Sequence, residues 1–188
     1  MKKAILIAPL FVLASTVVKA QDIPPLAPLR GDAASLADTM KFIQEKLPGT
    51  VTFMQYAYGP GGDGTPNRYS HALTQVAADA NRCNITFHTR LDINIGNTPM
   101  QSDREILLKQ VQDISLGQQE TAINLGWAKR GHPEETVKVQ PPIALVVIKS
   151  APGPGWVFYF YDDSLAERVS RALQHAVSLC GGGKPETF

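Results

Sequence analysis

The chain has 188 residues, with 18 Lys and Arg against 17 Asp and Glu for a formal charge of +1; hydrophobic residues make up 44% and charged residues 19%. Those are the proportions of one globular domain. They exclude an acidic disordered chain, a collagen-like repeat and a polybasic nucleic-acid coat, and they leave little length for a multidomain enzyme.

Lys2 and Lys3 precede an uncharged apolar run from Ala4 to Val18, and Val18-Lys19-Ala20 closes it with a small residue at the cut. The run is short for a bilayer, contains Pro9 and is not followed by a cysteine. Residues 1–20 therefore read as a bacterial secretory signal peptide cleaved after Ala20. Removing Lys2, Lys3 and Lys19 with it takes the formal charge from +1 to −2. A nearly neutral mature surface argues against nucleic acid or anionic lipid as the main partner. No later apolar run approaches membrane length, so a soluble periplasmic or secreted protein without a transmembrane segment is expected. Residues 21–31 carry Pro24, Pro25 and Pro28, which block helix and ladder alike and predict an extended tether.

The folded domain is expected over 32–183, with 184–188 as a tail. Leu36, Met40, Ile43 and Leu47 recur at helical spacing, predicting an amphipathic helix over Asp32–Leu47, with Asp32 as its cap and Pro48-Gly49 as its stop. Val51–Tyr58 alternates as a strand, Gly59–Asn67 reads as a loop, and Tyr69–Ala78 is a weaker strand. Cys83–Ile95 carries the strongest strand signal. Cys83, Ile85, Phe87, Thr89, Leu91, Ile93 and Ile95 occupy one face, and Asn84, Thr86, His88, Arg90, Asp92 and Asn94 the other. Strict period two puts the first face in a core and the second in water. Glu105–Val111 suggests a further strand, Asp113–Leu125 gives mixed signals, and Lys129–Lys138 reads as a surface loop. Ile143–Lys149 and Trp156–Tyr161 make a hairpin joined by a proline-rich loop. A last helix runs from Ser164 to Leu179 or Cys180, opened by a Ser164-x-x-Glu167 capping box and stopped by Gly181-Gly182-Gly183. Its expected stripe is Leu165, Val169, Ala172, Leu173, Ala176 and Leu179. The fold class is α+β: a bent antiparallel sheet or small open β-barrel, capped by the C-terminal helix and preceded by an amphipathic one.

Cys83 and Cys180 are the only cysteines. Export makes a disulfide between them the default, with two free thiols or an intermolecular bridge as alternatives. No Cys-x-x-Cys is present, which excludes a thioredoxin-like redox motif.

The stretch Asp162-Asp163-Ser164-Leu165-Ala166-Glu167-Arg168-Val169-Ser170-Arg171-Ala172-Leu173-Gln174-His175-Ala176-Val177-Ser178-Leu179-Cys180-Gly181-Gly182 resembles the closing helix of exported, uncharacterised bacterial proteins with a pleckstrin-homology-like domain. A strand cysteine such as Cys83 and a leading helix such as Ser35–Ile43 belong to the same resemblance. It implies a fold and not an activity. The phosphoinositide site of some cytoplasmic members is not carried over, because no basic loop cluster is present to cradle a phosphate.

Chemical motifs are sparse. There is no Gly-x-Ser-x-Gly elbow, and Ser70-His71 are strand neighbours whose side chains point to opposite faces. His71, His88, His132 and His175 show no metal-binding spacing. His88, Arg90 and Asp92 share a strand face that solvent alone explains. Gly59-Pro60-Gly61-Gly62-Asp63-Gly64 lacks the Gly-Lys-Ser/Thr of a phosphate loop, and Asp92–Asn97 lacks the glycine and glutamate of a calcium loop. No catalytic residues, metal or cofactor are therefore expected. The aromatic residues Tyr56, Tyr58, Trp156 and Phe158 are candidates for a ligand groove, with core packing as the plainer reading. The expectation is a non-enzymatic exported binding or interaction module, its partner an unidentified protein or small ligand of the envelope. The alternatives are a small-ligand carrier, or an exported hydrolase built around His88 and Asp92.

Overall fold

A computed structural model of the chain describes residues 34–183, apart from positions 61, 95, 96 and 154. The expected signal peptide, the whole of the expected tether and the tail fall outside the described residues.

The first element is helix α1 (Leu36–Lys46). The side chain of Ser35 accepts from Asp38 N–H at 3.1 Å, so Ser35 is the N-cap where Asp32 was expected. Met40, Ile43 and Leu47 are buried along one side. Eight strands follow: β1 (Gly49–Gly59), β2 (Gly62–Asp79), β3 (Asn84–Ile93), β4 (Met100–Leu107), β5 (Val111–Gln118), β6 (Thr136–Gln140), β7 (Ala144–Ser150) and β8 (Trp156–Phe160). Helix α2 (Gln119–Lys129) separates β5 from β6, and α3 (Asp163–Leu179) closes the domain.

All strand pairs are antiparallel. They form one sheet of five strands in the order β4-β3-β2-β1-β6 and one of three in the order β5-β7-β8. The architecture is thus α+β with two sheets, not a closed barrel. A 3-10 turn at Leu108–Gln110 carries the chain from the first sheet to the second, and α2 precedes its return. The larger hydrophobic cluster joins α1, β3, β4, β5, β7, β8 and α3 around Ile85, Ile148, Val169 and Leu173. A smaller one holds Val51, Phe53, Val139, Ile143 and Leu145, with Tyr69 and Tyr159 against it.

Several expectations shift. Most of Gly59–Asn67 is not loop: Tyr56 pairs with Pro66, Tyr58 with Asp63, and Gly59 with Gly62. The register slips by one residue between Tyr56 and Tyr58, a bulge that absorbs a proline without an N–H. Gly64 has φ 79°, and a Cβ there would crowd the Tyr58 ring at 3.1 Å. A second bulge bends β2 at Gln75, which has φ 52°. Cys83 lies in the turn before β3, with φ 54°, rather than on the strand. Asp113–Leu125 resolves into β5 and α2. No α2 residue is buried, so it has no apolar stripe to read. Its polar side chains instead seal the outer edge of β6. Asn124 accepts from Val137 N–H at 2.7 Å, and Glu120 accepts from Val139 N–H at 3.0 Å. That hydrogen bond holds the Glu120 carboxyl below its usual range.

Helix α3 is capped by Asp162, which accepts from the N–H groups of Ser164 and Leu165, not by the expected Ser164 box. Its buried side runs Ala166, Val169, Leu173, Ala176, Val177. That is rotated from the expected stripe and leaves Leu179 exposed. The rotation brings Cys180 to Cys83, and the two form a disulfide with Cα atoms 5.8 Å apart. Gly182 then lies so close to the carbonyl of Leu108 that no side chain fits there. Among the described residues no helix is long and apolar enough to cross a membrane.

Candidate functional site

The first strands of the larger sheet lay a floor of paired rows. Gly49 of β1 stands beside Leu73 of β2 and Thr89 of β3, and Val51 stands beside His71. Directly paired residues project to the same face, as do residues two apart on one strand. Gly49 is the gap in this row: a Cβ built there meets no atom within 4 Å. Strand β8 runs along the other side, and the start of α3 closes one end with Asp162 and Leu165. Together they enclose a cleft of about 340 Å³, lined mainly by apolar atoms. Residues of both hydrophobic clusters form its walls, among them Leu47 and Phe158 from the larger and Val51 from the smaller. The volume is at the small end of the range for small-molecule sites.

Alternation along β8 sets what faces the cleft. Phe158 and Phe160 turn into the larger cluster. Tyr159 turns the other way and stacks on His71 at 4.0 Å between ring centroids. Phe53 stacks against both rings, at 6.1 Å each, and against Tyr69 at 5.4 Å. At the rim the Tyr161 hydroxyl accepts from Thr52 N–H at 2.6 Å and donates to Thr52 C=O at 2.8 Å. Pairing of β1 with β6 begins only at Met54, so this hydroxyl occupies the place of a missing neighbour strand.

The polar atoms inside are few and uncharged. Burial pushes the His71 imidazole down to about 4 and raises the Tyr159 phenol. Neither side chain makes a hydrogen bond among the described residues. The charged lining residues are Lys46 and Asp162. The Asp162 carboxylate is held low by its hydrogen bonds to the Ser164 side chain and to the first N–H groups of α3.

His71 gives the fold a pH dependence of definite sign. Its folded value lies below its unfolded one, so between the two the unfolded chain binds the extra proton. The stabilisation is complete above pH ~6.5 and is lost as pH falls towards ~4, by at most about 3 kcal/mol. Urea unfolding at a series of pH values is expected to show this loss in the wild type and a flatter profile in His71→Phe. Parallel profiles would remove His71 as the cause.

Of the four aromatic residues expected to form a groove, only Phe158 lines the cleft. Trp156 packs edge-on against Phe87 at 5.8 Å, with the Arg104 guanidinium 5.5 Å from its ring. Tyr56 and Tyr58 lie at the far end of β1, paired with Lys138 and Thr136 of β6. The expected strand contributes, but through its opposite end, because β8 meets β1 at Thr52 and not at the bulge. His88 is bonded to Asp103 of β4 at 2.8 Å, and Asp92 to Arg90 at 3.0 and 3.2 Å, so the two are not paired with each other. His132, Glu134 and Glu135 bring their ligating atoms within 4.8 Å of one another on the loop before β6, where His132 and Glu134 are exposed.

Sequence reasoning passed over His71, Tyr159 and Gly49. A signal for His71 was present: it shares a face with Tyr69 and Leu73, an apolar setting that points a histidine inward. Gly49 was read as a helix stop, although it is the first residue of β1. No protein-family model, curated protein or solved structure matches the chain.

Proposed function

We propose that this protein is an exported, non-enzymatic binding module of the bacterial envelope, built on a pleckstrin-homology-like domain, with the inter-sheet cleft as its binding site. The observation that carries this reading is the cleft itself. It has a volume of about 340 Å³ and is lined mainly by apolar atoms, the usual character of a small-molecule site. Gly49 adds no side chain to the row of paired residues along its floor. Export is supported by the leader-like sequence of residues 1–20 and by the disulfide, a bond that persists in oxidising compartments. The fold assignment is supported by the likeness of Asp162–Gly182 to the closing helix of that group. Binding is favoured over catalysis because the polar side chains of β3 are engaged with one another, Arg90 with Asp92 and His88 with Asp103 across to β4.

The test is native mass spectrometry of protein recovered from the envelope without denaturation, beside its denatured mass. The expected result is extra mass in the native spectrum of the wild type, absent from Gly49→Leu, whose new side chain fills the cleft. The same excess of native over denatured mass in the two proteins would count against the cleft as the site. The denatured mass also reports cleavage after Ala20.

A further inference from the structure

We infer that the cleft selects an uncharged, ring-bearing small molecule with a hydroxyl group, a phenol or aromatic alcohol, and rejects the corresponding carboxylate. This rests on the cleft being the binding site and adds the chemistry of its occupant. Three features of the wall carry it.

The first is shape and ring content. The ring-bearing residues His71 and Tyr159 line a space at the small end of ligand sites. Stacking on Phe53 fixes the planes of His71 and Tyr159. A flat occupant gains contact there without reordering the wall.

The second is hydrogen bonding. The His71 ring carries one N–H donor and one acceptor nitrogen when neutral, and the Tyr159 hydroxyl both donates and accepts. Neither has a partner among the described residues, and the two rings are stacked 4.0 Å apart. A ligand hydroxyl at the polar edge of either ring can donate to its acceptor or accept from its donor. A molecule without such a group leaves both unpaired when it displaces water, which costs affinity.

The third is charge. Lys46 and Asp162 are of opposite sign, and the Asp162 carboxylate already serves the first turn of α3. The remaining lining residues, Leu47 to Val51, His71 to Leu73, Thr89, Val157 to Tyr161 and Leu165, carry no formal charge with His71 neutral. A carboxylate entering this wall would lose its hydration without gaining a buried counter-ion. An uncharged ligand complements an uncharged wall.

The experiment uses the mature protein at pH 7 and three probes of one ring system: 2-naphthol, naphthalene and 2-naphthoate. Amide chemical shifts are followed by NMR titration. The expected result is binding of 2-naphthol that perturbs Val51, His71 and Tyr159, with naphthalene and 2-naphthoate each about tenfold weaker, the scale of one or two neutral hydrogen bonds. His71→Phe is expected to bring 2-naphthol to the level of naphthalene while leaving naphthalene itself unchanged, a result that damage to the fold would not give. Gly49→Leu is expected to abolish all three without lowering the melting temperature, since its Cβ meets no atom within 4 Å. Naphthoate binding as tightly as naphthol would overturn the uncharged class. Equal binding of naphthol and naphthalene, unaffected by His71→Phe, would overturn recognition through the hydroxyl. If no probe shifts the cleft amides but Gly49→Leu still removes the natively retained mass, the ligand class is wrong and the cleft stands. If Gly49→Leu changes neither, the cleft reading falls as well.

Discussion

Replacing Cys180 with serine is expected to lower the stability of the domain by about 4–5 kcal/mol, the chain-entropy value for a loop of this length. Cys83 and Cys180 are 97 positions apart, so the bridge encloses β3 to α3 and restricts the unfolded chain across most of the domain. On the native side both cysteines are buried, and the bond fastens the end of α3 beside the 3-10 turn that leads into the smaller sheet. Leu108 N–H is already tied there to Cys83 C=O at 2.9 Å, and Gly183 N–H to Val111 C=O at 2.8 Å. With these contacts retained, the native state is expected to keep its shape, and the loss to come chiefly from the released unfolded chain. In thermal unfolding the change corresponds to roughly 10–15 °C for a domain of this size. Reductant added to the wild type should reproduce it, and the oligomeric state should not change. A melting temperature unmoved by both treatments would rule out this origin of stability.

Phe53→Ala is expected to cost about 3–5 kcal/mol, the range for emptying a buried aromatic site. The ring is almost fully buried and is one of only five buried residues in the smaller cluster. It is also the surface on which Tyr69, His71 and Tyr159 stack. The surroundings have little means of collapsing into the vacancy, because the neighbouring cleft supplies no atoms to fill it. Phe53→Leu, which keeps most of the volume, should lose far less. Urea unfolding measures both; equal midpoints for wild type and Phe53→Ala would show that the smaller cluster contributes little to the global transition. The same variant should also loosen the ring planes of His71 and Tyr159, which lose the surface that orients them.

What the sequence reveals of this molecule follows the strength of its periodic signals. Met40, Ile43 and Leu47 are buried as their spacing predicts. The inward face of β3 begins with Ile85 and Phe87, both buried, and the two cysteines are joined. Where structure rests on tertiary pairing instead of local pattern, the reading fails for identifiable reasons. Residues from Gly62 to Asn67 look like a loop because glycine and proline are poor strand formers, yet a bulge and an Asp63–Thr65 turn contact at 2.8 Å fit them to β1. Helix α2 carries its function in Glu120 and Asn124, which bind backbone, so there is no stripe to detect. The cap of α3 was misread because Asp162 and the Ser164-x-x-Glu167 pattern compete at the same terminus. Tyr56 and Tyr58 stand out in the sequence by their aromatic content and lie at one end of β1, whereas the cleft is lined by the other end, Gly49 to Val51, which carries no such signal.

The sealed margin of the larger sheet has a consequence for how the folded protein meets other chains. A sheet that ends in unpaired backbone is a template on which another chain can lay a strand and begin a fibril. Here Asn124 covers Val137, Glu120 covers Val139 and Tyr161 covers Thr52. Two side chains of α2 and one that follows β8 thus stand along one border, none of them able to extend a ladder. A neighbouring chain that meets this border finds its backbone groups already bonded to side chains, so strand addition is blocked along it.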